Sequence, residues 1–117
     1  MPPITDYAFG KMTIKGTIYT RDLIIFPDGR IQTDWFRQSG HLLRQEDLDM
    51  VLPKGPELII AGTGAYGRMA VAPGLEKALE KMKIRLVAME TPAAVALYNS
   101  KLSKNASGLC GCFHLTC

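Results

Sequence analysis

Hydrophobic and polar positions change rhythm partway along the chain. In the first third they alternate. Lys11-Met12-Thr13-Ile14-Lys15 reads polar, apolar, polar, apolar, polar, and Gly16 turns the chain into the β-branched and aromatic Thr17-Ile18-Tyr19. Leu23-Ile24-Ile25-Phe26 is a continuous apolar run. Pro27-Asp28-Gly29 after it is a turn: proline presets φ, aspartate can bond its own backbone, and glycine accepts a positive φ. Residues 30–35 resume the alternation. Short antiparallel strands or hairpins are the prediction for this region.

Ser39-Gly40 marks a loop. Residues 45–52 predict a short helix, with Leu48, Val51 and Leu52 on one face, ended by Pro53-Lys54-Gly55-Pro56. From residue 57 onward the rhythm becomes β and α in turn. Leu58-Ile59-Ile60-Ala61 is the unbroken apolar run of a strand covered on both faces. Residues 62–67 form a glycine-rich loop, and Met69-Ala70-Val71 a short strand. Pro73 is expected to open a helix whose apolar stripe is Leu75, Ala78, Leu79 and Met82. Residues 85–89 are the next strand. Thr91-Pro92 supplies an N-cap hydroxyl followed by proline at the first helical position, and that helix runs to about residue 102 with Val95, Tyr98 and Leu102 inward. A loop at 105–108 leads to a last strand at 109–113. Nothing repeats internally.

Composition narrows the function classes. The 117 residues make one domain's worth of chain, and 47% hydrophobic with 21% charged residues is the balance of a folded globule. The formal net charge of +3 has no basic run behind it: Lys77, Lys81, Lys83 and Arg85 are interleaved with Glu76 and Glu80, as on a solvated helix face. Aromatic residues do not alternate with arginine or lysine, so no stacking platform for single strands is visible. The expectation is no nucleic-acid partner. No apolar run approaches the roughly 18 residues of a membrane span. Met1-Pro2-Pro3-Ile4-Thr5-Asp6 carries neither the basic nor the apolar segment of a signal peptide. The expected setting is therefore cytoplasmic, without membrane attachment, and with its three cysteines reduced.

Gly62-Thr63-Gly64-Ala65-Tyr66-Gly67 matches the dinucleotide pattern G-x-G-x-x-G, follows a strand, and has Glu90 at the end of the strand after the next helix. A dinucleotide site needs a helix that starts inside the glycines, so that its N–H groups face the pyrophosphate. Here the next helix begins only around Pro73, and no cofactor is expected. A structural turn or a small anion-binding loop fits better. Cys110, Cys112 and His114 are spaced by two on a strand and share a face, with Cys117 close behind. Thiolate and imidazole suit zinc. A straight strand, however, sets successive ligands about 7 Å apart, so small buried cysteines beside a strand-end histidine are the favoured reading, with no metal. His41 sits in a polar loop as a solvated side chain. Asp47 and Asp49 read as helix surface charges, and Ser103 and Ser107 lack a nucleophile elbow. No nucleophile–base–orienter set is visible, which leans against an enzyme.

Taken in order, several pieces resemble a family of small proteins of unknown function. They are Phe9-Gly10 with Ile14-Lys15-Gly16, then Tyr19, Asp22, Pro27-Asp28-Gly29 and Trp35, then Asp47-Leu48. Leu58-Ile59-Ile60-Ala61-Gly62-Thr63-Gly64, Thr91, Ala94, Tyr98-Asn99 and the ending Gly111-Cys112-Phe113-His114-Leu115-Thr116-Cys117 complete the set. The family includes the adipogenesis-associated domain protein, whose cytosolic branch the ending is similar to, and a mitochondrial assembly factor for respiratory complex I. The resemblance implies a three-layer α/β fold: a central mixed β-sheet flanked by helices, with β-hairpin structure from the N-terminal part packed at one side. Two features depart from the family pattern: cysteine replaces the usual aliphatic residue at Cys110 or Cys112, and no mitochondrial presequence is visible.

Three functional expectations follow. The first, prompted by the assembly-factor relative, is a non-enzymatic binding or assembly module that acts through contacts with a protein partner. The second is a site for an anionic small molecule, with or without catalysis, at the backbone N–H groups of Gly62, Thr63 and Gly64. Thr91 would complete it, with Asn99, Asp47 or Trp35 nearby. Zinc or redox chemistry in the cysteine tail is a third, lesser expectation.

Overall fold

The computed structural model describes residues 3–38 and 40–117. In chain order its strands are β1 (Ile4–Ala8), β2 (Lys11–Ile14), β3 (Thr17–Tyr19), β4 (Leu23–Ile25), β5 (Ile31–Gln32), β6 (Leu42–Leu43), β7 (Leu58–Thr63), β8 (Ala70–Val71), β9 (Arg85–Met89) and β10 (Leu109–His114). Its helices are α1 (Leu75–Lys81) and α2 (Thr91–Ser103).

The alternating front of the chain forms an antiparallel three-stranded sheet, β1-β2-β3. Lys15 and Gly16 join β2 to β3 with φ of 53° and 76°, the two positive φ values that a tight hairpin needs to match strand twist. Met12 and Ile14 are the buried half of the alternation. The central sheet has the order β5-β4-β10-β7-β9. β10, β7 and β9 run parallel, while β4 is antiparallel to β10 and β5 to β4. The apolar runs predicted as doubly covered strands are its middle, and every residue of β10 is buried.

Strand alternation divides the interior into two clusters. Ile24, Ile59, Ala61, Cys110 and Cys112 face α1, the segment 43–51 and Met69. Ile25, Ile60, Leu109 and Phe113 face α2, with Ile4, Met12 and Ile14 of the N-terminal sheet packed on that same side. The molecule is thus a three-layer α/β sandwich around a mixed sheet, as the family resemblance implied. Among the described residues no helix is long and apolar enough to cross a membrane.

Four local expectations are corrected. The helix over 45–52 is two 3₁₀ turns, Gln45–Leu48 and Leu52–Lys54. Pro53 and the left-handed Gly55 (φ 64°) leave no room for a longer helix. The strand over 30–35 shrinks to Ile31–Gln32, because Asp34 adopts φ 56°. α1 starts at Leu75 with Gly74 as its cap (φ 83°), so Pro73 lies outside it, and Met82 is exposed beyond its end. Glu90, not Thr91, is the N-cap of α2; Thr91 is turned into the core. The predicted loop residue Ser39 lies outside the described residues.

Candidate functional site

The carboxyl ends of β10, β7 and β9 lie side by side, and ligands of open α/β sheets gather at such an edge. β4 runs the other way, so its start arrives there too. Asp22, just before β4, therefore meets His114, the last residue of β10, across 92 positions of sequence. Asp22 is a hub. Its Oδ1 accepts the Leu115 N–H at 2.8 Å. Its Oδ2 accepts from the Arg37 Nη2 at 2.6 Å and from the His114 Nδ1 at 2.7 Å.

An ionised carboxylate only accepts, so Nδ1 of His114 carries the proton. Arg37 Nη2 also lies 3.0 Å from that Nδ1; two donors are held side by side by one oxygen. Burial would raise the Asp22 pKa. The hydrogen bonds from His114, the Leu115 amide and Arg37 outweigh it and hold the carboxyl below its usual range. The three side chains are 17%, 4% and 8% exposed for Asp22, Arg37 and His114, which makes this a buried ion pair with an imidazole attached.

Arg37 is fixed on every side but one. Its Nε donates to the Gly40 carbonyl at 3.0 Å, and its guanidinium lies 4.7 Å over the Trp35 ring. Trp35 is held in turn: its Nε1 donates to the Asp47 carbonyl at 2.9 Å. The Asp47 carboxylate accepts from the backbone N–H groups of Arg44 and Gln38. Two groups remain. Arg37 Nη1 and His114 Nε2 are buried and have no hydrogen-bond partner among the described residues. An unmet buried donor costs about 1–3 kcal/mol; elsewhere Arg44 Nε and the Tyr98 hydroxyl are likewise without a partner among the described residues. Asp22 and Arg37 line an open cleft of about 500 Å³ together with Thr20, Arg21, Phe36 and Gly40. The His41 ring stands edge-on to His114 with centroids 5.8 Å apart; His41 is exposed, but it packs on the cluster rather than standing free in solvent.

The glycine loop is arranged differently from an open anion cradle. Gly64 donates its N–H to Thr91 Oγ1 at 2.9 Å, and that hydroxyl donates to the His114 carbonyl at 2.7 Å. Ala65 and Arg68 donate their N–H groups to the carbonyls of Thr116 and Cys117. A Cβ on Gly64 would lie 2.5 Å from the Cys117 carbonyl oxygen. The chain's own tail lies against the loop.

The residues singled out in sequence thus fall into three groups. Gly62, Thr63, Gly64 and Thr91 come together at the sheet end, beneath the tail. Trp35 and Asp47 come together as the support of Arg37. Asn99 is elsewhere: its side chain accepts the Ile4 N–H at 2.9 Å and donates to the Ile4 carbonyl at 2.7 Å, which clasps β1 to α2. Cys110 and Cys112 are fully buried, and the neighbouring Cys110 thiol together with burial pushes the Cys112 thiol well up. Arg37 drew no attention in sequence. The available signal was a lone arginine beside a buried-type tryptophan, which periodicity cannot distinguish from a surface charge.

A family model for proteins of unknown function, DUF498/DUF598, matches residues 4–112. Solved structures share the fold. A conserved hypothetical protein, PH1505 from Pyrococcus horikoshii OT3, is 26% identical, with TM-score 0.80 over 97% of this chain and 98% of that one. A protein designated MT938 is 23% identical, with TM-score 0.83 and full coverage of both chains. A Bartonella henselae protein described as an outer membrane protein is 23% identical, with TM-score 0.80 over 98% of this chain and 95% of its own. The match over nearly the whole length places this chain in the DUF498/DUF598 family of proteins of unknown function.

Proposed function

We propose that the protein binds a small organic anion, a carboxylate, in the cleft in front of Arg37. One observation carries the reading: Arg37, fixed by Asp22, Gly40 and Trp35, lines an open cleft, and its buried Nη1 has no hydrogen-bond partner among the described residues. With Nε and Nη2 already engaged, the Nη1 amino group is what remains to donate to a carboxylate oxygen. The exposed Arg21 on the same cleft adds positive potential, partly offset by its ion pair with Asp34 at 3.3 Å. Asp22 neutralises the charge of Arg37, so the site favours a singly charged, partly apolar acid over a phosphate. Amide chemical-shift mapping with acetate, succinate and inorganic phosphate tests this. Shifts centred on Asp22, Arg37, Gly40 and Leu115 with the carboxylates are expected. Shifts confined to residues 62–68, or none at millimolar acid, overturn it.

Protein contacts, the reading prompted by the assembly-factor relative, have one observation of their own. Phe9 and Tyr66 are 55% and 67% exposed, and their rings face each other at 5.9 Å. An exposed aromatic pair is the type of anchor that interfaces use. Stoichiometric capture of a partner by the wild type, lost in a Phe9→Ser, Tyr66→Ser variant, would favour this reading; equal capture by both would remove it.

A further inference from the structure

We infer that the protein pairs with a second copy of itself through β9, the outer strand of the central sheet, in one antiparallel register centred on Val87. The two edges of that sheet are built differently. β5 has two residues and ends before Asp34, whose φ is 56°; a short edge of this kind resists pairing. β9 runs for five residues, Arg85–Met89, with no proline, glycine or positive φ. Among the described residues it pairs with β7 alone. Arg85, Leu86, Val87 and Ala88 line an open groove of about 300 Å³ with Val71 and Glu76, and Ala88 is exposed.

The ladder with β7 fixes which groups face outward. Arg85 donates its N–H to the Glu57 carbonyl at 3.0 Å. Backbone groups of successive strand residues point to opposite sides. Arg85, Val87 and Met89 therefore turn theirs toward β7, and Leu86 and Ala88 turn theirs away. Neither Leu86 nor Ala88 has a backbone hydrogen bond on that outer side among the described residues. The next outward residues in each direction are already engaged: Ile84 donates its N–H to Leu79, and the Glu90 carbonyl accepts from Ala94. The open part of the edge is thus Leu86 and Ala88, placed evenly about Val87.

That symmetry suits a copy of the same strand. Two-fold association is self-complementary, and it brings two edge strands together antiparallel. With Val87 on the axis, Leu86 of each copy exchanges its N–H and C=O bonds with Ala88 of the other, and every open group of both edges is met. Sliding the register to set Leu86 against Leu86, or Ala88 against Ala88, would call on the engaged groups of Ile84 or Glu90. The charges agree with the same register. Carried past the strand ends, it sets Glu90 of one copy opposite Ile84 of the other, which Lys83 and Arg85 flank in sequence. The basic start and acidic end of β9 then meet their opposites.

An edge contact of this kind is small, so sedimentation velocity should show the dimer growing in between about 10 µM and about 1 mM chain. Ala88→Pro removes an outward N–H and leaves the β7 ladder whole. It should weaken the dimer at least about tenfold, and its amide spectrum reports whether it folds. A wild type still monomeric at about 1 mM overturns the inference, and the edge is then left to an extended segment of another protein. A folded proline variant that dimerises like the wild type overturns it too. Cysteine placement in a Cys117→Ser background reads the register and decides alone should the proline variant fail to fold. Val87 faces itself across the axis as a non-hydrogen-bonded pair with Cα atoms about 4.5 Å apart, within disulfide reach. Arg85 lies more than about 13 Å from its counterpart. Under oxidised glutathione, Val87→Cys should link two chains and Arg85→Cys should not; any other pattern overturns the inference.

Discussion

Asp22 carries more of the molecule's fate than its exposure suggests. Three donors converge on it, one of them the side chain of a buried arginine. Replacing it with alanine leaves Arg37 without its counter-charge, a change that typically costs about 3–5 kcal/mol. Urea titration of Asp22→Ala at neutral pH should show that loss. The same residue predicts an acid response. Its pKa is lowered in the folded protein relative to about 3.9 in the unfolded chain. Its contribution is therefore complete above about pH 4 and is lost as the pH falls through the lower, folded value. Asp22→Asn should flatten that acid limb of the stability profile; an unchanged limb would mean that other carboxylates govern it. Little of this was legible in sequence. Asp22 was visible as a piece of the family pattern and His114 as a strand-end histidine. Their meeting is set by an antiparallel β4 beside β10, and pairing order is not written in any local period. Arg37 follows no pattern at all, because a loop carries it in.

Elements were easier to read than their ends. The apolar runs at 58–61 and 109–113 and the alternation at 11–19 are strands because burial on two faces or one writes itself directly into the sequence. β1 was missed: only Ile4 of its five residues is buried, and without a second buried position there is no alternation to see. Thr91 shows why a strong local signal can mislead. Threonine before proline has the chemistry of a cap, but its hydroxyl is taken by Gly64 and His114, which lie far away in sequence. It acts as a rivet between β7, α2 and β10. Thr91→Val keeps the shape and removes both hydrogen bonds, and it strands a buried N–H and a buried carbonyl at about 1–3 kcal/mol each. Thr91→Ser should retain most of the stability. Gly64→Ala meets two penalties, a φ of 107° and the Cys117 backbone, and is expected to lose about 2–4 kcal/mol. Thermal or urea unfolding of the three variants checks the order: serine near wild type, valine and alanine well below it.

On the scale of the whole molecule, the N-terminal sheet could be taken for an appendage, since it forms no hydrogen-bonded ladder with the central one. The packing says otherwise. Ile4, Met12 and Ile14 complete the cluster that covers Leu23, Ile25, Ile60 and Phe113, and stripping them away would leave that face of the sheet in water. Three polar ties hold the layer in place. Asn99 clasps both backbone groups of Ile4, and the Leu115 carbonyl accepts from the Tyr7 hydroxyl at 2.7 Å and the Gly10 N–H at 2.8 Å. Asn99→Ala breaks the clasp and leaves the Ile4 backbone groups unmet, at a cost of about 1–3 kcal/mol. How that loss is distributed is the informative quantity. If the layer detaches by itself, only amides of residues 4–19 should exchange faster with solvent. The shared cluster predicts the other result: the slowest amides of β7 and β10 lose protection by the same free energy as those of β1 and β2, because the layers unfold as one unit. Native-state hydrogen exchange of wild type and Asn99→Ala separates the two. Loss confined to the first three strands would show that the central sheet is stable without them, and that the N-terminal sheet is a cover rather than half of the core.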